Sequence, residues 1–374
     1  MSTQATQRHP WWWIPTLYFA EGLPYMAVMT ISTVMYKCLG IGNTEIAFYT
    51  AWLYLPWVIK PFWSPFVDII RSKRWWVLAM QWAIAIAMAS IAFALPASGF
   101  FQATLALFWL MAFASATHDI AADGFYMLAL TEHQQSLFVG IRSLFYRISM
   151  VVGQGALVVV AAFVSDAWAR PKAGWIVVFG ILAAFFALVA SYHSFALPRP
   201  AADAMRSPRS RGEVLREFTE TFVAFFRKPQ VGVALTFMLL YRLPEAQLVK
   251  MITPFMLDPT ASGGLGLTPD QVGLVYGTIG VIGLMLGGIV GGLAAARRGL
   301  RYWLHPMAWS MSLTCLTFVY LAVAQPSAIW EIYLCVFVEQ FGYGFGFTAY
   351  MLYLIYFSAG RFKTAHYSIC TGFM

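Results

Sequence analysis

The residues with the clearest capacity for chemistry in this chain are two aspartates, Asp119 and Asp123, inside a strongly apolar stretch. Because they lie four positions apart, the two side chains share one face of a helix. Burial away from water and a neighbouring like charge both favour the protonated form of a carboxyl group. We therefore expect one of them to take up and release a proton. The alternative is that both are structural and pair with arginines.

Basic and polar residues in the next apolar stretch are the natural partners of these aspartates. Arg142 is expected to be a structural partner or an anchor for lipid headgroups. Arg147 lies deeper, where it could bind an anionic group of a small molecule or serve the structure alone. Gln154 could donate hydrogen bonds to sugar hydroxyls or, equally well, to a neighbouring helix. His118 is read as a hydrogen-bonded packing residue, with a proton relay as the alternative.

A second group of charged residues occupies matching positions in two parts of the chain. Glu21 precedes Pro24, and Arg242 and Glu245 flank Pro244. Proline removes a backbone donor and loosens a helix. Helix breaks at matching positions of a membrane protein indicate its binding site. We expect these charges to bind or gate a solute, the alternative being an Arg–Glu pair that holds the two parts together.

The elements that must position these side chains are long apolar helices. Of the 374 residues, 60% are hydrophobic and 11% are charged, against about 25% charged in soluble domains. A membrane-spanning helix needs about 20 mostly apolar residues. We predict ten spans near 11–37, 45–67, 75–96, 102–130, 138–165, 174–196, 230–256, 269–295, 302–324 and 330–357. An eleventh begins near Ala365, so a C-terminus truncated from a twelve-helix architecture is expected.

Loop charges predict the orientation of the chain in the membrane. Nearly all loop Lys and Arg residues lie in one set of loops, which includes the N-terminus and the central stretch 197–229 with Arg206 and Arg209. Positive loops stay on the cytoplasmic side, so the N-terminus and this linker are expected there. The part from Glu213 to Phe226 alternates charged residues with phenylalanines, which predicts an amphipathic helix on the inner membrane face.

The two parts of the chain carry related sequences. Tyr126-Met127-Leu128 recurs as Tyr350-Met351-Leu352 at an offset of 224. Two such bundles related by an axis along the membrane normal form the major facilitator architecture. We therefore predict an all-α membrane protein with an N-terminal six-helix half at 1–196, a linker at 197–229 and an incomplete C-terminal half at 230–374.

The segment from Ser64 to Arg74 resembles the loop 2–3 signature of the major facilitator superfamily. In that resemblance, Asp68 pairs with an arginine such as Arg71 or Arg74 and with a helix N-terminus in one conformation, and releases them in another. These three residues form the expected conformational latch. The alternative is a short basic turn that follows the positive-inside rule.

A closer resemblance is to the AmpG muropeptide permease family. Lys60-Pro61-Phe62-Trp63-Ser64-Pro65-Phe66-Val67-Asp68 is similar to that family's segment after helix 2. The family's helix 1 Gly-Leu-Pro matches residues 22–24, and its helix 4 motif matches 115–123, with His118 in place of the family's Gln. The resemblance implies a secondary transporter that imports a sugar-containing solute, such as an amino sugar, an oligosaccharide or a muropeptide, together with protons.

The functional expectation follows from these features. The solute cavity is expected between helices 1, 4, 5 and 7, 8, 10, where Tyr126, Tyr343 and Tyr350 could stack on sugar rings. The partners are a small solute, protons and the lipid bilayer of a bacterial inner membrane; no cofactor, metal or nucleic acid is expected. Alternating access makes or breaks no bond, so the chain is not expected to be an enzyme. The alternatives are a siderophore or an acyl-CoA-like anion as cargo, and a membrane enzyme that modifies glycolipids.

Overall fold

The computed structural model describes residues 8–203 and 211–373, so Arg206 and Arg209 of the linker lie outside the described residues. All regular secondary structure in the described parts is helical, which confirms the all-helical prediction. The helices, in chain order, are α1 Ile14–Met26, α2 Ser32–Cys38, α3 Asn43–Ala51, α4 Leu55–Ile59, α5 Ser64–Ile70, α6 Lys73–Ala94, α7 Phe100–Ala129, α8 Glu132–Val151, α9 Leu157–Ala167, α10 Ala173–Ala196, α11 Arg211–Phe226, α12 Val231–Leu240, α13 Leu243–Leu257, α14 Pro269–Leu274, α15 Val281–Arg298, α16 Leu300–Leu313, α17 Leu316–Ala324, α18 Ile329–Phe357 and α19 Lys363–Gly372.

Several of the predicted spans are interrupted helices. The turn Ala27–Ile31 between α1 and α2 is π-helical and follows Pro24, which lies inside α1. Two further π-helical turns, at Val152–Ala156 and Val275–Gly280, join α8 to α9 and α14 to α15. Such turns occur where the regular hydrogen-bond ladder is disturbed, frequently at functional sites. Each break therefore lies in a helix that carries or neighbours a predicted site residue.

Length and apolar composition identify six helices in the described residues that could cross a membrane, or up to seven if one bent pair counts as a single span. They include the continuous helices α6, α7 and α10. The helical run 14–38 and the shorter helices between 43 and 70 are not among the six. Helix α18 has 29 residues, but its polar residues lower its mean hydropathy. The number of ten spans therefore stays a prediction.

The described residues form two compact units. The first comprises the residues up to Leu130, Phe145–Arg227 and Ser358–Gly372, and the second comprises Thr131–Leu144 and Lys228–Phe357. The predicted halves each run without interruption along the chain. The sequence alone does not show that 131–144 belongs to the second unit and 358–372 to the first.

The first unit has an apolar core where α1, α2, α6, α7 and α10 meet. Its fully buried side chains include Tyr36, Met88 and Phe108. A close contact brings α1 against α8, because a Cβ atom on Gly22 would lie 2.0 Å from the Ser149 hydroxyl oxygen. Only glycine fits at this point, so the contact explains the glycine of the Gly-Leu-Pro motif.

The second unit is organised around α15 and α18. Glycines recur every four residues on α15, and a Cβ atom on Gly287 would lie 2.1 Å from the carbonyl oxygen of Phe341 on α18. Small residues at this spacing let two helix backbones approach closely. The contact fixes the face of α18 that carries the polar residues described below.

The amphipathic linker helix α11 packs within the first unit. Phe218 stacks on Phe66 with ring centroids 5.0 Å apart, and Phe225 lies edge-on to His366 at 5.5 Å. Phe226, in contrast, is 54% exposed. Much of the apolar face predicted to contact the inner membrane surface therefore contacts protein instead, because α5 and α19 offer aromatic surface to it.

Candidate functional site

A charged cluster in the first unit contains Asp119, the first of the two aspartates. The ammonium of Lys60 forms an ion pair with its carboxylate, and the two side chains are only 11% and 17% exposed. The carboxyl of Glu21, from α1, is also within hydrogen-bonding reach of Asp119. Two carboxyl groups and one ammonium group therefore meet where α1, α7 and the turn after α4 come together.

Lys60 is the ion-pair partner of Asp119 that the sequence did not assign. It lies in the turn Lys60–Phe62, held between α4 and α5 by the proline that follows it. Asp119 faces this lysine and not an arginine of α8. A basic residue inside an apolar run was the available signal, because such a residue usually marks a partner or a pathway for ions.

Asp123 lies one helical turn further along α7 and is 6% exposed. It accepts a hydrogen bond of 3.0 Å from the hydroxyl of Tyr18 on α1. The ring of Tyr18 packs edge-on against Tyr126, with centroids 5.9 Å apart. The two aspartates thus lie on the face of α7 that contacts α1, as their spacing predicts.

The other predicted residues of this unit surround the cluster less closely. Arg147 is half-buried and interacts electrostatically with Tyr146, which in turn neighbours Glu21 and Asp119. Gln154 is exposed on the π-helical turn that ends α8. Its amide is therefore available to hydrogen-bond with a molecule outside the packed interior.

His118 belongs to a separate buried chain of hydrogen bonds. The Gln81 amide nitrogen lies 3.0 Å from Nε2 of His118 and 2.9 Å from Nδ1 of His193. Nε2 of His193 lies 2.9 Å from the hydroxyl of Thr16, which donates to the carbonyl of Trp13. When the Gln81 amide donates to both rings, both histidines are neutral. This arrangement supports the packing role of His118 over a relay.

The second unit holds its own charged cluster. One guanidinium nitrogen of Arg242 donates to the Glu245 carboxylate at 3.1 Å and to the Tyr343 hydroxyl at 3.2 Å. The guanidinium also lies 5.4 Å from the ring centroid of Phe347, a distance at which a cation is attracted to an aromatic face. Three of the predicted residues, Arg242, Glu245 and Tyr343, therefore meet at the helix break around Pro244.

Two of the three tyrosines expected to stack on sugar are fully buried. Tyr126 and Tyr350 are both 0% exposed. Tyr350 donates a hydrogen bond of 2.9 Å to the carbonyl of Met238 and stacks on Tyr241 with centroids 5.4 Å apart. Tyr343 is 7% exposed and is engaged by Arg242. In this conformation the tyrosines pack against protein rather than border open space.

The predicted latch aspartate, Asp68, has two partners in the first unit. One carboxylate oxygen lies 2.5 Å from the ammonium of Lys73. The other accepts a hydrogen bond of 3.0 Å from the backbone N–H of Ala365, in the first turn of α19. The N-terminus of a helix carries a partial positive charge that favours an anion. Asp68 therefore contacts a helix N-terminus, and its ionic partner is Lys73 rather than an arginine.

The two latch arginines make different contacts. Arg71 lies over the ring of Trp75 at 5.7 Å. The guanidinium of Arg74 donates to the carbonyls of Ser194 and Leu197 at the end of α10. Helix α6 begins between Arg71 and Arg74 and directs Lys73 toward Asp68. Lys73 is therefore the ion-pair partner of Asp68, and neither arginine is.

Asp203 of the linker completes this corner of the first unit. Its carboxylate accepts hydrogen bonds from the backbone N–H groups of Lys73 and Arg74, at 2.6 and 2.9 Å. Burial raises the pKa of Asp203 above its usual range, and these two backbone hydrogen bonds oppose that effect. No local signal identifies this contact, because about 130 residues separate its two sides.

Comparison with known proteins identifies the family of the chain. A family model described as the Major Facilitator Superfamily matches residues 16–372. The anhydromuropeptide permease of Escherichia coli (strain K12) is 26% identical over 297 residues, which cover 76% of this chain and 55% of the permease. AmpG 3 of Rickettsia typhi, a proposed transporter, is 23% identical over 359 residues, which cover 92% of this chain and 80% of that protein. The chain thus spans little more than half the length of the first of these relatives.

Solved structures agree at the level of the fold. The transporter FucP in its outward conformation has a TM-score of 0.63 at 14% identity, with 96% of this chain and 95% of FucP covered. The proton:xylose symporter XylE has a TM-score of 0.60 at 11% identity, covering 96% of this chain and 84% of XylE. The relatives are permeases and transporters, which confirms that the chain is not an enzyme. The chain belongs to the Major Facilitator Superfamily, within which it is AmpG-like.

Proposed function

We propose that this chain is a proton-coupled importer of a sugar-containing solute of the muropeptide type. It would lie in the inner membrane of a bacterium, with its N-terminus and linker in the cytoplasm. The proposal for the solute draws on the name of the E. coli permease, of which the chain matches 55%. The proposal for the orientation draws on the excess of Lys and Arg in one set of loops.

The cluster of Lys60, Asp119 and Glu21 is the observation that carries the proposal. Lys60 pairs with Asp119, and the carboxyl of Glu21 is within hydrogen-bonding reach of the same carboxylate. Two ionised carboxylates so close together repel each other, and this repulsion is costly in a largely buried place. A proton on the carboxyl pair removes this cost. Uptake and release of that proton would change the bonding between α1, α7 and the turn that holds Lys60, which couples the proton to movement of the helices.

Asp123 is proposed as the second member of the coupling pair. It shares the face of α7 with Asp119, and the Tyr18 hydroxyl can donate to it when it is ionised. Arg147 and Gln154 are proposed to bind the solute from the first unit. Arg147 suits an anionic group, and the exposed amide of Gln154 suits sugar hydroxyls.

In the second unit, Arg242, Glu245 and Tyr343 are proposed to bind or gate the solute. Arg242 uses one nitrogen for both of its protein contacts, and its buried Nε has no hydrogen-bond partner in the described residues. A buried donor without a partner is costly, so an acceptor on the solute would be favourable there. Tyr126 and Tyr350 are proposed to reach the solute only in another conformation.

The latch is proposed to work through Asp68 and α19. Asp68 contacts the N-terminus of α19 and forms an ion pair with Lys73. Beside it, Arg71 lies over the ring of Trp75 near the start of α6, and Arg74 donates to carbonyls at the end of α10. Loss of the Asp68 contact would free α19, which is the kind of two-state element that alternating access requires.

Uptake of a labelled anhydromuropeptide into energised membrane vesicles tests the proposal. Wild-type uptake is expected to need an inward proton gradient and to stop when an uncoupler is added. Asp119→Asn and Asp123→Asn should abolish gradient-driven uptake, measured per amount of protein that remains in the membrane. Asp166→Asn, at an exposed position of α9, is the matched control and should transport normally.

Two results would contradict the proposal. An uncoupler-insensitive flux would remove proton coupling. Wild-type uptake by both the Asp119 and the Asp123 variants would remove these residues from the coupling step. A panel that includes amino sugars and oligosaccharides shows whether the solute is a muropeptide or a simpler sugar.

A further inference from the structure

The second unit contains a buried carboxyl group that the charged cluster does not neutralise. Glu339 lies in the middle of α18 and is 1% exposed. Its carboxylate accepts a hydrogen bond of 2.9 Å from the side-chain amide of Gln340. Among the side chains that the structure describes, no Lys, Arg or His nitrogen lies within 4.0 Å of it.

The guanidinium of Arg242, which lies near this region, is already engaged. Arg242 bonds to Glu245, whose side chain is 4% exposed, and Glu245 is close enough to Glu339 to repel it electrostatically. The described part of this cluster therefore holds two carboxyl groups and one cation. If both carboxyl groups were ionised, the cluster would carry an uncompensated negative charge inside an apolar helix bundle.

An ionised carboxylate without a cation is unstable in such a place. Transfer of an unpaired charge out of water costs so much that the group takes up a proton instead. Asp119 differs, because Lys60 compensates it. We propose that Glu339 is a proton-binding site of the second unit, which holds a proton in the described conformation and, on the basis of the proposed function, releases it during the transport cycle.

The partner of Glu339 suits a group that gains and loses a proton. The amide of Gln340 donates through its nitrogen to an ionised carboxylate, and after rotation accepts through its oxygen from a protonated one. Its nitrogen also lies 3.4 Å from the Tyr276 hydroxyl, which can likewise donate or accept. Both protonation states of Glu339 therefore find hydrogen-bond partners without movement of the backbone.

The described titratable and charged groups around Glu339 come from several elements. Arg242 directly precedes α13 and Glu245 lies in its first turn, and Tyr276 belongs to the π-helical turn before α15. The remaining described groups are Cys315 at the start of α17 and Tyr343 on α18 itself. Of these, only Arg242 carries a positive charge, and its partner is Glu245.

Infrared spectroscopy of the purified protein in liposomes tests the proposal without any solute. A protonated carboxyl group in apolar surroundings has a C=O stretch that an ionised carboxylate lacks. At neutral pH the wild-type band should contain a component from Glu339, and Glu339→Gln should lose that component. Any band from the proposed proton on the Asp119 and Glu21 carboxyl groups should stay. Glu331→Gln, near the exposed start of the same helix, is the matched control and should keep the band.

The variants give outcomes in both directions. Glu339→Asp keeps a carboxyl group and should keep the band, which guards against loss of the signal through misfolding. If Glu339→Gln retains the full band, the proposal is overturned. In liposomes, counterflow of a labelled anhydromuropeptide should persist in Glu339→Gln, while accumulation against a gradient should fall to simple equilibration.

The two measurements separate this proposal from the proposed function. If wild-type vesicles take up no anhydromuropeptide, the proposed function fails, and the infrared result still decides whether Glu339 binds a proton. If Glu339→Gln loses its component of the band and still accumulates solute as the wild type does, the proton site stands and its release during transport is refuted.

Discussion

Replacement of Lys60 by methionine tests whether the ion pair with Asp119 organises the first unit. Both side chains are largely buried, at 11% and 17% exposed. Two opposite charges about 4 Å apart attract by about 4 kcal/mol at an effective dielectric constant of about 20. Removal of one partner of a buried pair costs about 3–5 kcal/mol, because it leaves an uncompensated charge. We expect Lys60→Met to lower the free energy of unfolding by about that amount.

Unfolding in mixed micelles with increasing dodecyl sulfate measures this free energy. Asp119→Asn alone should also destabilise the protein, since it leaves the buried ammonium group of Lys60 without its ion-pair partner. The double variant Lys60→Met with Asp119→Asn should recover most of the loss, because a neutral pair of similar volume is often tolerated. The exposed pair of Arg216 and Glu220 on α11 is the matched control, where Arg216→Ala should change stability by about 0.2–1 kcal/mol.

The double variant also separates stability from transport. It should fold almost as well as the wild type and yet show no proton-driven uptake, because the carboxyl group of Asp119 is gone. If the two single losses simply add in the double variant, the side chains do not interact and the assignment of Lys60 is refuted. If the single variants unfold like the wild type, the pair is solvated rather than buried.

Three smaller predictions test the packing contacts by the same unfolding measurement. Gly287→Ala should destabilise by about 1–3 kcal/mol through overpacking, since the facing backbone would lie 2.1 Å from the new atom, whereas Gly277→Ala, with open space around it, should not. Asp203→Ala should cost about 1 kcal/mol by removing the acceptor for two helix N–H groups. Gly124→Ala should lower stability by disturbing α19, because its Cβ atom would lie 2.3 Å from Thr364. Adding Thr364→Ala to this variant should restore the stability. If the double variant does not recover, α19 is held by other contacts.

The all-helical fold could be predicted because each segment carries its own signal. Apolar runs such as 173–196 are long enough to read without any knowledge of their neighbours. The spacing of Asp119 and Asp123 likewise placed both on one helix face, where they are found. Breaks in the helices were less predictable, since Pro24 indicates a disturbance and does not show that a π-helical turn follows.

The partners of the charged residues could not be predicted. Lys60 and Asp203 meet their partners through contacts between segments far apart in the chain, and a single sequence contains no record of such pairs. Lys73 pairs with the nearby Asp68. The positive-inside rule explains a basic loop without any specific contact, so it gives no reason to choose Lys73 as the partner of Asp68. Local rules therefore find candidate residues, while packing decides which of them meet.

The internal repeat places different side chains at matching positions of the two units. At the offset of 224, Glu21 corresponds to Glu245, and Asp119 corresponds to Tyr343. The first unit therefore presents two carboxyl groups to a lysine, whereas the second replaces one of them by a phenol and supplies Arg242 for the remaining glutamate. The additional carboxyl of the second unit, Glu339, lies one turn earlier on its helix and faces an amide. The duplicated scaffold repeats the positions and not the charges, so each unit balances its buried charges with a different set of side chains.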